Sequence, residues 1–327
     1  MPKVFIVSQG EDTGGVASAI LRAVEAAQRE HGQRGWIVRS MRGNDNYIGY
    51  PPDLTWKWDE DSKTCKRFDE EYENADLIHA MERVENILSI RGLSEPDKPC
   101  VVHHHGSALR WKPAFAPWCE ERKIPQIAST VDLEKIHPAI RWMPNPIPIS
   151  FLAEIGHRWG PSDDEPFNVA HTPTFRECKG TDIFLEGAKL AGVPVVITEK
   201  VRWEGALVAK ARSHAYMDQL SFGFGLSALE AWSMGRPVIS SVEDPATLAH
   251  MKDTWGELPF LYVEPNPRSI ADALARLRDD PYFREETAAK GYQFVLKHHD
   301  EAFVGERLLR LWARTIGRFE RLTRKRS

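Results

Sequence analysis

The sequence predicts an α/β protein with two domains. Short apolar runs, typical of buried parallel strands, alternate with segments of helical periodicity along the chain. A length of 327 residues exceeds what one hydrophobic core usually serves. Three prolines within five residues, Pro144, Pro146 and Pro148, cannot continue a helix or a central strand. We therefore place the domain boundary near residue 150.

Composition is that of a soluble globular chain. Hydrophobic residues make up 42% and charged residues 28%, and a net charge of −4 gives no general reason to bind polyanions. The four cysteines lie far apart without a C-x-x-C pair, so neither a zinc site nor a disulfide scaffold is expected. The first apolar run is too short for a signal peptide, and none approaches the roughly 18 residues of a membrane span. A cytoplasmic protein with reduced thiols is expected.

The first predicted strand leads into a glycine turn. Residues 3–7 are an apolar run, Gly14 and Gly15 follow, and a helix is predicted over 16–29. A strand, a double glycine and a helix are the arrangement that cradles a phosphate at a helix N-terminus. A plain tight turn into a helix is the alternative. Gly14 and Gly15 are therefore candidate phosphate-binding residues.

Two motifs suggest metal ligands but are better explained otherwise. Asp59 and Asp61 form an Asp-x-Asp in a charged run with no preceding strand, which favours a solvated loop over a cation site. Three consecutive histidines, 103–105, lie on a strand that runs into Gly-Ser. Neighbours on a strand point to opposite faces, so at most the first and third face the same way. No carboxylate or cysteine stands nearby in sequence to complete a site, and no metal is expected.

The stretch 218–241 organises the second domain. Gly223 and Gly225 form a short turn, a predicted helix that carries Glu230 follows, and 237–240 is the next predicted strand. A glycine turn that feeds a helix leaves backbone N–H groups without acceptors, and the helix dipole adds positive charge there. This end suits a phosphate. An ordinary capped helix with a solvated glutamate is the alternative.

This stretch resembles the C-terminal-domain signature of retaining GT-B glycosyltransferases of family 4 (glycosyl transferases group 1). A Gly-Phe-Gly turn, a Leu-Glu-Ala helix and a Gly-Arg-Pro-Val-Ile strand occur in the same order and spacing. The Gly-Gly turn, the Ala-Asp-Leu-Ile-His-Ala run at 75–80, the His-Gly-Ser turn, the Pro-Asn-Pro linker and a Lys-Gly loop follow the family's order too. The resemblance implies two facing Rossmann-like domains with a deep interdomain cleft. Residues 1–150 would be the acceptor side and 151–300 the nucleotide-sugar side, with the helix 301–327 packing back on the first domain.

The resemblance also implies roles in binding the donor. Glu230 would hold the ribose hydroxyls of a nucleotide-sugar. The diphosphate would meet the glycine turns, which together comprise Gly14, Gly15, Gly223, Phe224, Gly225 and Leu226. Many relatives carry a second glutamate where this chain has Phe222, so Asp218 is the candidate substitute acceptor for the sugar hydroxyls.

Further catalytic candidates come from two loops. Lys179 would neutralise the departing diphosphate, and Arg176 is the substitute for an arginine that many relatives carry where this chain has Pro173. Both are exposed loop cations on the alternative reading. His105 would lie beside the donor sugar, or else be a buried, hydrogen-bonded histidine. Ala108 replaces a polar aspartate of many relatives.

The activity that the resemblance implies is hexosyl transfer from a nucleotide-diphosphate-sugar. It implies retention of configuration, and we expect neither a metal nor a cofactor beyond this co-substrate. The acceptor is a glycan, a lipid-linked acceptor, a protein or a nucleic acid. Two alternatives stay open: a transferase that acts on modified bases of nucleic acid, and a catalytically degenerate nucleotide-sugar binder.

The last predicted helix carries an apolar stripe and a stripe of arginines. From residue 301 onward there are eight cations and three anions. The arginine stripe could serve an anionic membrane surface at the inner face or a nucleic acid, or it could be a solvated face. Its members are Arg307, Arg310, Arg314, Arg318 and Arg321.

Overall fold

The structure is a computed structural model that describes residues 1–8, 16–30, 35–42, 54–55, 62–162 and 164–324. The chain divides into two compact units: Met1–Pro146 with Glu301–Ser327, and Ile147–Asp300. Gly14, Gly15 and the Asp59–Asp61 motif lie outside the described residues. Both units are layers of helices around a parallel sheet, and the predicted α/β class is confirmed.

The elements are numbered in chain order. The strands are β1 (Lys3–Ser8), β2 (Ile37–Arg42), β3 (Leu54–Thr55), β4 (Leu77–Met81), β5 (Cys100–His104), β6 (Gln126–Ala128), β7 (Ile140–Trp142), β8 (Val169–His171), β9 (Val195–Ile197), β10 (Ala215–Met217), β11 (Val238–Ser240) and β12 (Leu261–Tyr262). The helices are α1 (Val16–Glu30), α2 (Ser62–Asn74), α3 (Val84–Ile90), α4 (Ser107–Trp111), α5 (Phe115–Glu121), α6 (Ile149–Trp159), α7 (Arg176–Lys179), α8 (Thr181–Ala191), α9 (Trp203–Ala211), α10 (Leu226–Ser233), α11 (Pro245–Trp255), α12 (Pro267–Asp279), α13 (Pro281–His298) and α14 (Glu301–Thr323), with a 3₁₀ turn at Val131–Lys135.

The first unit is built on a seven-stranded sheet in the order β3-β2-β1-β4-β5-β6-β7. Every neighbouring pair is parallel. A parallel sheet is covered by helices on both faces, which favours strands of mostly apolar residues, and β4 and β5 are buried along their whole length. The order reverses beside β1, so the sheet is doubly wound, and ligands of such sheets bind beyond the carboxyl ends of the strands.

The terminal helix α14 packs on α1 within this unit. Gly305 permits the close approach, because a Cβ at that position would lie 2.0 Å from the carbonyl oxygen of Ala23. Arg22 donates to Glu301 at 3.0 Å near the start of the helix. Trp312 is fully buried further along it. Of the predicted apolar stripe, Val304, Leu308 and Trp312 are buried.

The second unit is built on a five-stranded parallel sheet in the order β12-β11-β10-β8-β9. Its core joins the sheet to α8 and α12 through buried residues such as Phe184, Ile270 and Leu274. The helices of its second half start at capping side chains: Asp244 accepts N–H groups at the start of α11, Asn266 at α12 and Asp280 at α13. Among the described residues, no helix has the length and apolar character that crossing a bilayer requires.

Candidate functional site

The Lys-Gly loop of the second unit places Lys179 at the end of α7. Gly180 follows with φ of +68°, and a Cβ there would lie 2.6 Å from Cδ1 of Leu220. Only glycine meets both conditions without strain. Lys179 Nζ donates to Asp218 Oδ1 at 2.9 Å, and its side chain keeps 19% exposure. The loop therefore presents a partly exposed ammonium group that is anchored on one side.

Asp218 lies just beyond the carboxyl end of β10 and is completely buried. Its Oδ1 accepts from Lys179, and its Oδ2 accepts the backbone N–H of Gly225 at 2.6 Å. The carboxylate thus ties the Lys-Gly loop to the glycine turn. Both of its oxygens accept hydrogen bonds from within the protein, and its role as the substitute acceptor for sugar hydroxyls stays a prediction.

The glycine turn combines a position that requires glycine with an aromatic anchor. Gly223 has φ of +91°, and a Cβ there would lie 2.7 Å from Cε of Met251. Gly225 is the N-cap of α10, and Leu226, which is half-buried, is the first residue of that helix. The Phe224 side chain points into the core, so the turn can offer a ligand its backbone but not this ring. Phe224 packs against the rings of Trp232, Trp255, Phe260 and Phe294, with centroids 5.1–6.3 Å away.

Glu230 lies on α10 and is buried between two donors. Its Oε1 accepts from Trp203 Nε1 at 2.7 Å, and its Oε2 pairs with Lys210, whose side chain is 1% exposed. Lys210 also lies 3.4 Å from Ser227 Oγ. A buried charge needs a partner, so Glu230 and Lys210 require each other. The glutamate is therefore held in one orientation before any ligand arrives.

Arg176 begins the short helix that ends at Lys179, but it pairs with a different carboxylate. Its Nε and Nη2 donate to the two carboxylate oxygens of Glu199 at 2.7 and 2.8 Å. The guanidinium lowers the pKa of Glu199 mainly through these hydrogen bonds. The structure brings Lys179, Asp218 and Gly225 together, and it pairs Arg176 with a different residue.

His171, at the end of β8, supports this end of the sheet. Its Nδ1 lies 2.9 Å from the carbonyl oxygen of Met217, and its Nε2 lies 2.8 Å from Thr181 Oγ1. Burial lowers the pKa of His171 to about 4, so the ring is neutral near pH 7. It links β8, β10 and the start of α8, and the last two elements lie close in sequence to Asp218 and Lys179.

In the first unit, the three histidines of the β5 run alternate between the faces of the sheet. The rings of His103 and His105 lie together, with centroids 4.4 Å apart. The ring of His104 points the other way, where its Nε2 lies 3.0 Å from Gln126 Oε1. Among the residues that the structure describes, no cluster of three or more His, Cys, Asp or Glu side chains is arranged to hold a metal ion.

His105 is bonded on one side of its ring only. Nδ1 lies 2.6 Å from Ser129 Oγ, whereas Nε2 is buried without a hydrogen-bond partner. Burial lowers the pKa of His105 to about 3, which keeps the imidazole neutral near pH 7. The ring therefore offers one nitrogen to a ligand.

Glu82 is a site residue that the sequence analysis missed. It follows β4 with φ of +74°, a conformation that costs energy in any residue with a side chain. Its Oε1 accepts the backbone N–H of His105 at 2.7 Å, and Oε2 is buried without a partner. Burial raises the pKa of Glu82. Nothing in its sequence context distinguishes it from an ordinary residue after a strand.

Comparison with solved structures identifies the fold. HepE of Anabaena, in complex with UDP and glucose, matches with a TM-score of 0.67 and 13% identity over 96% of this chain and 100% of that one. Sucrose-phosphate synthase of Thermosynechococcus elongatus matches with a TM-score of 0.65 and 15% identity over 97% of this chain and 100% of that one. An alpha-glucosyltransferase in complex with UDP and a 13-mer DNA matches with a TM-score of 0.58 and 12% identity over 96% of this chain and 100% of that one. No protein-family model and no curated protein matches this sequence.

These structural matches establish the architecture. Because the sequences are only 12–15% identical, the activity has to be argued from the residues of this chain. The predicted GT-B class, with its two Rossmann-like sheets, is confirmed by these matches along the full chain.

Proposed function

We propose that this protein is a glycosyltransferase that takes a hexose from a nucleotide-diphosphate-sugar. One observation carries the proposal: Asp218 joins Lys179 to the N-cap of α10, and the same helix carries the buried, oriented Glu230. A cation, a helix N-terminus and a fixed carboxylate are what a diphosphate and a ribose need. The fold that HepE shares, whose structure contains UDP, supports this reading.

The second unit would stabilise the leaving group. Breaking the bond between sugar and diphosphate builds negative charge on the phosphate oxygens. Lys179 keeps donors beyond the one given to Asp218, since an ammonium group has three. Together with the N-terminus of α10 it would stabilise that charge without a metal. Arg176 would contribute only if its pair with Glu199 opens.

Glu230 would hold the ribose. A carboxylate has about four lone-pair sites, and Trp203 and Lys210 occupy one on each oxygen. The remaining sites can accept two ribose hydroxyls. Because both protein donors fix the carboxylate in place, little side-chain freedom is lost on binding.

His105 in the first unit would accept a hydrogen bond from a sugar hydroxyl through Nε2. We propose retention of configuration on the resemblance to family 4, and no cofactor beyond the co-substrate. The function is tested by thermal unfolding with a panel of nucleoside diphosphates, followed by hydrolysis and transfer assays with their sugar forms. Ligand at about 100 times Kd adds about 2.7 kcal/mol to the free energy of unfolding. No shift with any diphosphate contradicts the proposal, and a shift without turnover favours the degenerate binder.

A nucleic-acid acceptor is the second candidate. Four arginines of α14 are exposed, and the alpha-glucosyltransferase that shares the fold is in complex with DNA. Salt-dependent retardation of a DNA duplex in a gel would support this acceptor, because phosphate contacts weaken steeply with ionic strength. Equal mobility at low salt excludes it. The four arginines are Arg310, Arg314, Arg318 and Arg321.

A further inference from the structure

A chain of buried hydrogen bonds in the first unit begins at the terminal helix. Trp312 Nε1 lies 3.1 Å from His79 Nδ1. His79 Nε2 lies 3.2 Å from His103 Nδ1, and His103 Nε2 lies 3.1 Å from Ser129 Oγ. All four side chains are buried, so each bond is made without competition from water.

The direction of this chain is fixed by its first member. An indole N–H can only donate, so His79 Nδ1 is an acceptor. Burial lowers the pKa of His79 to about 3 and that of His103 well below its ordinary value, so both rings are neutral. A neutral imidazole has one donor and one acceptor. His79 therefore donates from Nε2, and His103 donates from Nε2 to Ser129.

The chain ends at Ser129, whose hydroxyl lies between two further side chains. Ser129 Oγ is 2.8 Å from Asn145 Oδ1 and 2.6 Å from His105 Nδ1. A hydroxyl has one hydrogen, and an amide oxygen only accepts, so this hydrogen goes to Asn145. The short contact to His105 then requires a proton on Nδ1 of that ring. Its Nε2 is left as a lone pair.

We propose that Asn145, together with the chain that begins at Trp312, holds His105 as the Nδ1–H tautomer, so that Nε2 accepts a hydrogen bond from a ligand hydroxyl. Asn145, Ser129, His103 and Trp312 act as positioning residues, and His105 alone touches the ligand. Only the identity of that hydroxyl, as part of a sugar, rests on the proposed function.

The Pro-Asn-Pro segment thereby gains a second role beside linking the two units. The prolines on either side of Asn145 restrict the backbone that carries it. Asn145 is 6% exposed, and its amide oxygen lies within the protein against Ser129. A linker asparagine with this orientation sets the chemistry of a residue 40 positions earlier.

Long-range ¹⁵N–¹H correlation spectra of the ligand-free, histidine-labelled protein test the assignment. The pattern should show Nδ1–H at His105 and Nε2–H at His79 and His103, with signals assigned by single His→Gln replacements. A proton on Nε2 of His105 overturns the proposal. Because no nucleotide is present, this result is independent of whether the protein binds a nucleotide-sugar.

The variant Asn145→Ala adds a second test. Without the amide oxygen, the Ser129 hydroxyl is released to donate to His105, and His105 should change to the Nε2–H tautomer. His104 is the internal control, since Gln126 Nε2 donates to the Ala116 carbonyl oxygen and so presents Oε1 to His104. An unchanged His105 tautomer in a folded variant, shown by an unchanged His104 signal, contradicts the role of Asn145.

Asn145→Asp is the conservative partner of that variant. It keeps an acceptor at the same place, so His105 should retain Nδ1–H. If the proposed function holds, Asn145→Ala should lower kcat/KM by about tenfold, as loss of one hydrogen bond does, and Asn145→Asp should restore most of it. A change of tautomer in Asn145→Asp equal to that in Asn145→Ala overturns the proposal.

Discussion

The polar interiors of the two units are built from different chemistry. In the first unit one chain of buried polar groups is neutral: histidines, a serine, an asparagine and an indole are joined by hydrogen bonds. The second unit, beside neutral buried groups such as His171, contains buried charged pairs: Lys179 with Asp218 and Lys210 with Glu230. Neutral groups need only a hydrogen bond when they are buried, whereas a charge also needs an opposite charge.

This difference matches the two kinds of group in the proposed substrate. A sugar hydroxyl is neutral and is oriented by a neutral acceptor such as His105. A diphosphate is an anion, and ion pairs that already exist can hold it without reorganisation.

The largest effect is expected at Lys179. Lys179→Ala should lower turnover by about 10²–10³, because it removes a charge from the departing diphosphate. Lys189→Ala, an exposed lysine on α8, is the matched control and should leave turnover unchanged. Steady-state kinetics with the donor that stabilises the protein provide the measurement. If Lys179→Ala turns over the donor at the wild-type rate, other residues stabilise the leaving group.

Breaking a buried ion pair should cost more than breaking a neutral bond. Lys210→Met leaves Glu230 buried without its cation and should lower the free energy of unfolding by about 3–5 kcal/mol. Ser129→Ala removes a neutral partner in the first unit and should cost about 1–3 kcal/mol. Chemical denaturation of both variants makes the comparison. Equal costs would remove the contrast between the two interiors.

A double variant separates pairing from ligand binding. Lys210→Met combined with Glu230→Leu replaces both charges by apolar groups and should recover most of the lost stability. It should still fail to bind the nucleotide, because the ribose acceptor is gone. Recovered stability with normal nucleotide affinity would exclude Glu230 from the ribose site.

Packing in the first unit depends on the crossing of α14 and α1. Gly305→Ala would bring a methyl group within 2.0 Å of the Ala23 carbonyl oxygen, so about 1–3 kcal/mol of stability should be lost. Gly317→Ala on the same helix meets its first neighbour, Nη1 of Arg321, at 3.6 Å. It should therefore stabilise the helix by about 0.5–1 kcal/mol. The midpoint temperature of thermal unfolding should fall in Gly305→Ala and rise in Gly317→Ala.

Acid should destabilise the first unit before the second. Burial lowers the pKa of His79 and His105 to about 3 and that of His104 to about 4, against about 6.5 when unfolded. Their stability contribution is complete above pH 6.5 and is lost as pH falls towards the folded pKa. Each such group contributes about 1.4 kcal/mol per pH unit in that window.

In the second unit His171 behaves in the same way, with a pKa of about 4. Among the described histidines with a lowered pKa, four lie in the first unit and one in the second. Hydrogen exchange measured between pH 6.5 and 5 should show β4 and β5 losing protection before β8 and β10. The opposite order would contradict the assignment of neutral buried histidines.

The smallest effect concerns the exposed arginines of α14. Reversing the charge at Arg310, Arg314 and Arg318 should abolish binding to anionic vesicles if this face docks on a membrane surface. Arg310 already pairs with Glu306, so the other two should contribute more. Arg268→Glu, on an exposed residue of the second unit, is the control. Absence of vesicle binding by the wild type at low salt means that the face is solvated.

The sheets were predictable from the sequence because strands buried on both faces are mostly apolar, as in β1, β4 and β5, whose buried polar exceptions are Ser8, His79, His103 and His104. That Lys179 and Gly225 serve one site was predictable only from the Lys-Gly and Gly-Phe-Gly motifs that contain them. Lys210 was not, since a lysine in a helical pattern usually points to solvent and its partner is 20 residues away. The Trp312 contact to His79 spans 233 residues, and no local pattern encodes it. The periodicity of apolar residues along the sequence does not predict which polar groups pair over long separations.

In the proposed function the nucleotide lies at α10 in the second unit. Calorimetric titration with UDP tests this directly, using the wild type, Glu230→Ala and, as a control on the glycine turn, Phe222→Ala. Glu230→Ala should weaken binding by about 10- to 100-fold, the range expected for lost hydrogen bonds to a charged group. Phe222→Ala should bind as the wild type does. Unchanged affinity in a folded Glu230→Ala variant would place the nucleotide elsewhere and contradict the proposed site.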